Sequence, residues 1–184
     1  MSNKMLEDIK EVLVTKEEIQ KEIRILGSKI SDSYHPDDEV IMVGILRGAV
    51  IFMADLARKL SIPVTFDFMD VSSYGQDAYT SGNVRIIKDL EENIEGKHVL
   101  IVEDIIDTGL TMKRVINLLE TRAPASINIV TLLDKPDRRE QKEVEVDYNG
   151  FEVPDEFVVG YGLDYAEKYR NLPFIGALKE ELYS

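Results

Sequence analysis

The chain has 184 residues, with 35 Asp and Glu against 22 Lys and Arg, a formal net charge of −13, and 44% hydrophobic residues. That length and apolar content suit one globular domain with a sizeable core rather than a disordered chain, and an excess of acid argues against nucleic acid or an anionic membrane as partner. There is no cysteine and only two histidines, His35 and His98, so disulfides and thiolate metal sites are excluded and a histidine metal centre is not expected.

Thr15 and Glu18 have capping-box spacing, and Ile19, Ile23, Leu26 and Ile30 follow at helical intervals, which predicts an amphipathic helix over 16–31. Val40–Leu46 reads as a buried strand, 49–60 as a helix packed on one face, and Val64–Val71 as a strand. Residues 72–83 (SSYGQDAYTSGN) form a polar loop of a length usually tied to function or disorder. Val84–Ile87 is a short returning strand. A strand at 98–102 leads to a helix over Thr111–Glu120, and Ile127–Leu133 is a further strand. Asp134–Tyr148 is densely charged, Phe157–Tyr161 is a last strand, and 164–170 is a turn or short helix. The alternation predicts an α/β fold: a mostly parallel twisted sheet flanked by helices, in a single domain spanning 1–184. The first residues lack a signal-peptide pattern and no run is long enough to span a bilayer, so a cytoplasmic location is the default expectation.

The most informative stretch is VLIVEDIIDTGLT at 99–111. A buried strand is followed by Glu103 and Asp104, and then by Asp107-Thr108-Gly109-Leu110-Thr111, a turn that opens a helix. In open α/β sheets ligands bind beyond the carboxyl ends of the strands. A helix start with backbone N–H groups and a glycine suits a phosphate, and Thr108 and Thr111 add hydroxyl donors. No P-loop pattern is present. The acid pair would be ill placed beside a phosphate alone, but it suits a ligand that also carries hydroxyls, as a 5-phosphorylated ribose does. Carboxylate oxygens also suit Mg²⁺. Acids after a strand often only cap a helix or face solvent. Here pair, turn and strand–turn–helix context coincide.

The motif VEDIIDTG resembles the site for phosphoribosyl pyrophosphate (PRPP) in the purine phosphoribosyltransferases of the hypoxanthine-guanine type, within the wider purine/pyrimidine phosphoribosyltransferase family. Further segments carry the resemblance from about residue 40 to 172: Leu46-Arg47-Gly48, Ser73-Tyr74, Leu133-Asp134-Lys135, Phe157-Val158-Val159-Gly160-Tyr161, Leu163-Asp164-Tyr165 and Arg170. It implies the type I phosphoribosyltransferase fold with a small hood and lid region. It also implies transfer of ribose 5-phosphate from PRPP to N9 of a 6-oxopurine, with release of pyrophosphate, in purine salvage.

By this resemblance Asp107 handles a proton at purine N7 as general acid/base. Glu103 and Asp104 hold the ribose hydroxyls with Mg²⁺ nearby, and Asp107, Thr108, Gly109, Leu110 and Thr111 hold the 5-phosphate. Arg47, Gly48 and Arg170 meet pyrophosphate. Lys135, Phe157, Val158 and Asp164 form the purine site, Asp164 also supporting a second Mg²⁺ through water. Ser73 and Tyr74 belong to a lid that excludes water. The family places a cis peptide before its basic residue in the pyrophosphate loop and usually has lysine there; this chain has Arg47. The resemblance also implies a homodimer or homotetramer. Two other readings stand beside it: a xanthine or pyrimidine phosphoribosyltransferase, and a PRPP-sensing regulator that binds RNA or DNA. The second would need a basic face or an added domain.

Overall fold

A computed structural model describes residues 3–73 and 84–183. In chain order the elements are α1 (Asn3–Glu7), β1 (Ile9–Val14), α2 (Lys16–Asp32), β2 (Val40–Leu46), α3 (Val50–Ala57), β3 (Val64–Ser73), β4 (Val84–Lys88), β5 (His98–Ile106), α4 (Leu110–Glu120), β6 (Ser126–Asp134), β7 (Tyr148–Glu152), β8 (Val158–Val159) and β9 (Ile175–Leu178). Six strands form one sheet in the order β4-β3-β2-β5-β6-β7. All neighbours in it are parallel except β4, which returns antiparallel on β3.

The uninterrupted apolar run of β2 has a simple cause. A central parallel strand is covered on both faces. Val40 and Met42 pack with Ile19, Ile23, Phe52 and Leu56 of α2 and α3. Ile41, Val43 and Ile45 pack on the other side with Met112, Val115 and Leu119 of α4. The start of α2 is fixed as its spacing predicts. Glu18 N–H donates to Thr15 Oγ1 at 3.3 Å, and Thr15 N–H donates to the Glu18 carboxylate at 2.8 Å. The chain runs from β2 outward to β3 and from β5 outward to β6 in opposite directions. The topological switch therefore lies between β2 and β5, which puts a crevice beyond their carboxyl ends.

Several expectations are corrected. β5 does not stop at Val102 but continues through Ile106, so Glu103 and Asp104 lie in the strand rather than after it. The helix expected over 49–60 ends at Ala57. Phe157–Tyr161 is a strand only at Val158–Val159, because Gly160 and Tyr161 turn left-handed with φ of 102° and 52°. Those two residues of strand pair with β9, and β9 with β1, in a separate antiparallel sheet ordered β1-β9-β8, which corresponds to the expected hood. Of the turn or short helix expected over 164–170, the turn is what forms, since Ala166, Glu167 and Tyr169 have positive φ. The strands β1, β7 and β9 and helix α1 were not foreseen. Neither β1 (IKEVLV) nor β7 (YNGFE) carries a full buried face, so neither shows strong alternation. The proposed lid residue Tyr74, and most of loop 72–83, lie outside the described residues, and Ser73 ends β3 opposite Val84. Among the described residues no helix is long and apolar enough to cross a membrane.

Asp67 on β3 binds the segment after β4 to the sheet. Its carboxylate accepts from the N–H groups of Phe68, Glu91 and Glu92 at 2.7–2.9 Å and from Lys88 Nζ at 3.3 Å. Burial alone would raise its pKa, but these donors outweigh burial and hold it below the usual 3.8. A depressed folded-state pKa stabilises the fold above the unfolded value and loses that contribution as pH falls through the folded one. Asp67→Asn should lower the unfolding free energy by about 2 kcal/mol at neutral pH. In urea titrations its deficit against the parent should shrink as pH drops below about 4.

Candidate active site

At the end of β5 the backbone turns sharply because Gly109 adopts a φ of 82° as the N-cap of α4. The eleven-residue helix then starts at Leu110, so its first N–H groups and positive dipole end face the crevice. The Leu110 N–H donates to Thr108 Oγ1 at 3.4 Å. A cavity of about 230 Å³ opens here, bounded by Leu46, Glu103, Asp107, Thr108, Gly109 and Thr111. The structure thus gathers the expected phosphate turn and one acid of the pair around one space.

Arg139 braces this turn from behind, a role that spacing did not reveal. Its Nε donates to the Asp107 carbonyl at 3.2 Å, its Nη1 to the Val144 carbonyl at 3.0 Å, and its Nη2 to the Asp134 carboxylate. The Thr108 carbonyl accepts from the N–H groups of Glu140 and Gln141 at 3.0 and 3.1 Å. A Cβ on Gly109 would come within 3.0 Å of Arg139 Cδ. The turn is therefore held by backbone and guanidinium bonds, leaving its inner face for a ligand.

The acid pair sits under tension. Burial, then the neighbouring Asp104 charge, raises the Glu103 pKa well above its ordinary value. Burial raises Asp104 to about 6, with the Ile105 N–H at 2.9 Å and the Arg170 charge pulling the other way. Glu103 Oε2 is buried with no hydrogen-bond partner. A buried carboxylate beside a part-buried one with an unused, occluded oxygen, at the edge of a cavity, fits a hard divalent cation, as Mg²⁺ prefers one or two carboxylates plus ligand phosphates. Asp164 does not join them. Its Oδ1 lies 2.8 Å from Arg170 Nη2, and its Oδ2 accepts from the Glu167 N–H at 2.8 Å. Among the described residues no group of three or more His, Cys, Asp or Glu converges on a metal position.

The chain crosses this region at Leu46-Arg47-Gly48, where the Leu46–Arg47 peptide is cis, as the resemblance implies. Gly48 runs hard against Asp104. A Cβ there would lie 1.6 Å from Asp104 Oδ2. On its other side, a Cβ on Gly162 would fall 2.1 Å from the Gly48 carbonyl. Arg47 reaches outward, with Nη1 3.1 Å from Glu167 Oε2 and both side chains exposed. Arg170 donates from Nη1 to the Gly162 carbonyl at 2.8 Å and from Nη2 to Glu167 at 3.2 Å, while its Nε is buried without a partner.

A second cavity of about 390 Å³ is bounded by Lys135, Arg138, Phe157, Val158, Leu163 and Asp164, with Ile105 and Asp107. Ile105 and Asp107 thus border both cavities. Lys135 is buried and donates from Nζ to the Glu156 carbonyl at 2.7 Å. Asp155 Oδ1 lies 3.6 Å from the same Nζ, and with three donors on an ammonium one remains for a ligand. Phe157 keeps 37% of its surface exposed. Arg138, also missed from sequence, places Nε 2.9 Å from Asp107 Oδ1 and Nη1 2.9 Å from Asp155 Oδ1. A larger cavity of about 430 Å³ borders the start of β6, but Glu120, Glu143, Glu145 and Asp147 line it without a basic residue, the wrong charge for an anion.

The crevice thus combines a helix-start turn suited to an anion, a carboxylate pair, and an adjoining cavity lined by Phe157, Val158 and Leu163 with Lys135. The family model described as "Phosphoribosyl transferase domain" matches residues 10–166, and the chain belongs to that family. It is 52% identical over 179 residues to the hypoxanthine-guanine phosphoribosyltransferase of Bacillus subtilis, covering 97% of this chain and 98% of that one. The enzyme of the same name from Staphylococcus aureus is 51% identical over 180 residues, covering 98% and 99%. A crystal structure of a Staphylococcus aureus hypoxanthine phosphoribosyltransferase superimposes with a TM-score of 0.95 at 50% identity, covering 100% and 99%. The fold expectation is met.

Gly48→Ala tests the close approach at Asp104. The added Cβ must displace either the carboxylate or the backbone, and a shift of about 1 Å near reacting groups can cost about 100-fold. Phosphoribosyl transfer should fall by about that factor in kcat/KM, while circular dichroism shows the secondary structure retained.

Proposed function

We propose that the protein transfers the 5-phosphoribosyl group of PRPP to N9 of hypoxanthine and guanine, yielding IMP or GMP and pyrophosphate. One observation carries the reading: Asp107 stands on the wall common to the phosphate cavity and the apolar slot. A bond between sugar and base must form where those spaces meet. The names of the relatives support the same reading.

In this reading the 5-phosphate sits on the backbone of Asp107–Thr111, held by N–H groups and the α4 dipole. Glu103 and Asp104 accept from the ribose 2- and 3-hydroxyls. The same two carboxylates would hold Mg²⁺, which when bound would supply positive charge to offset that of the leaving pyrophosphate. The Gly48 backbone and Arg170 face pyrophosphate, where a guanidinium fork matches phosphate oxygens. The base lies on Phe157 beside the Val158 backbone, with its O6 toward Lys135. As the bond from C1′ to pyrophosphate breaks and the bond to N9 forms, Asp107 takes the proton from N7. Arg138, whose Nε lies 2.9 Å from Asp107 Oδ1, lines the same slot and supports this reading. Ser73 and Tyr74, as lid residues, keep water from the oxocarbenium-like sugar. A homodimer or homotetramer is the proposed assembly.

The direct test is a spectrophotometric assay with PRPP, Mg²⁺ and each of hypoxanthine, guanine, xanthine and adenine. Turnover of the first two supports the reading, and turnover of none overturns it. Adenine presents an amino donor where Lys135 offers a donor, so a buried polar group is left unpaired. Its kcat/KM should lie about 10⁴ below that of hypoxanthine, and equal values would refute the role of Lys135. Asp107→Asn should lower kcat by about 10²–10⁴ while calorimetry finds PRPP affinity within about threefold of the parent. Parallel loss of both would make Asp107 a binding residue only.

A further inference from the structure

Tyr183 lies beyond β9, far in sequence from every segment assigned to the site, yet its ring stacks on Phe157. The centroids are 4.9 Å apart and the planes 28° apart. Tyr165 meets Phe157 edge-on, at 5.4 Å and 86°. The placement is built by the second sheet. The Leu178 N–H donates to the Phe157 carbonyl at 2.8 Å, and Val158 and Val159 pair with Ala177 and Gly176. A one-turn 3-10 helix, Glu180–Leu182, then follows. Leu182 packs onto Val159, Tyr169 and Leu178, and Tyr183 N–H closes the turn on the Glu180 carbonyl at 3.1 Å. The chain thus returns Tyr183 to the ring at the start of β8.

We propose that Tyr183 is a positioning residue for the base: it covers one face of Phe157 and holds the ring so that its other face is presented to the purine. The inference rests on the reading of Phe157 as the base platform. Phe157 remains 37% exposed although Tyr183 stacks on it and Tyr165 meets it edge-on. Its free surface belongs to the cavity that Leu163, Lys135 and Tyr183 itself also line. An aromatic ring on a strand edge without such a backing samples several rotamers, and ordering it on binding weakens affinity. Stacking supplies that order in advance. The proposed arrangement is a three-layer column of Tyr183, Phe157 and base, with Leu163 on the far side of the base.

The test compares steady-state kinetics of the full chain with Tyr183→Ala, Tyr183→Phe and Phe157→Ala, using hypoxanthine and PRPP. Tyr183→Ala should raise the KM for hypoxanthine about three- to tenfold, with kcat and the KM for PRPP within about twofold. Tyr183→Phe, which keeps the ring and drops the hydroxyl, should restore the parent value. Four outcomes overturn the proposal: an unchanged hypoxanthine KM in Tyr183→Ala, a lowered one (which would mean that Tyr183 occupies the face the base needs), an equal rise in the KM for PRPP, or a Tyr183→Phe variant as impaired as the alanine. Phe157→Ala separates the two readings. If it raises the hypoxanthine KM while Tyr183→Ala does not, Phe157 stands as the platform and Tyr183 falls. If Phe157→Ala leaves that KM unchanged, the platform reading itself fails.

Discussion

The site depends on how closely the Gly48 backbone passes the Asp104 carboxylate. Three separate stretches meet there: the end of β2, the middle of β5, and the turn at Gly160–Gly162. A side chain at Gly48 or Gly162 would force them apart. With both glycines in place, β5 carries two acids to the floor of the crevice and loop 46–48 closes over them. Such packing of backbone against a carboxylate strips its water, which is why Asp104 titrates high, while burial and then the Asp104 charge raise Glu103. The pair is held ready for a partner that brings positive charge or hydroxyl donors.

Around that contact the positive groups are distributed with some economy for a chain of net charge −13. Arg170 faces the acid pair and ties down the Gly162 carbonyl. Arg139 is spent on the carbonyls behind the phosphate turn and on Asp134. Arg138 holds Asp107, and Lys135 stands in the apolar slot. Few of these cations face open solvent, so attraction for an anionic ligand is concentrated in the crevice while the surface remains acidic. Exposed charges farther apart than about 10 Å are screened by salt, whereas buried ones act at short range.

The second sheet has a different task. Its three strands are short and antiparallel, and they anchor the segment that carries Phe157, Val158 and the left-handed turn at Gly160–Tyr161. Tyr161 reaches from that turn to the Asp55 carboxylate of α3, which Gln20 of α2 also meets at 3.0 Å. The base slot is thereby tied to the helices on one face of the main sheet, while the phosphate turn is tied to α4 on the other. Asp107 lies where the two supports meet, so its position depends on both.

Much of this was legible in the residues. The continuous apolar runs of β2, β5 and β6, the capping box at Thr15, and the strand–turn–helix at 99–111 are local signals, because a buried parallel strand and a helix start impose their chemistry on neighbouring positions. The motifs singled out the turn at 107–111, the acid pair, and Lys135, Phe157, Val158 and Asp164, which line the second cavity. Other features left no local trace. The extension of β5 through two acids runs against the propensity of those residues, and only pairing with β6 as far as Ile106↔Asp134 sustains it. β1, β7 and β9 have weak patterns because their partners, not their own faces, hold them. The bracing by Arg139, the ion pair of Arg138 with Asp107 and the stack of Tyr183 on Phe157 join residues whose separation in sequence says nothing about distance. The sequence by itself marked groups suited to a phosphate and to sugar hydroxyls, since that is a matter of side-chain chemistry and local turns, and its resemblance to the family implied those for a base. Only the tertiary structure decided that they share one crevice, since the contact between Gly48, Asp104 and Gly162 exists only once three distant segments have packed.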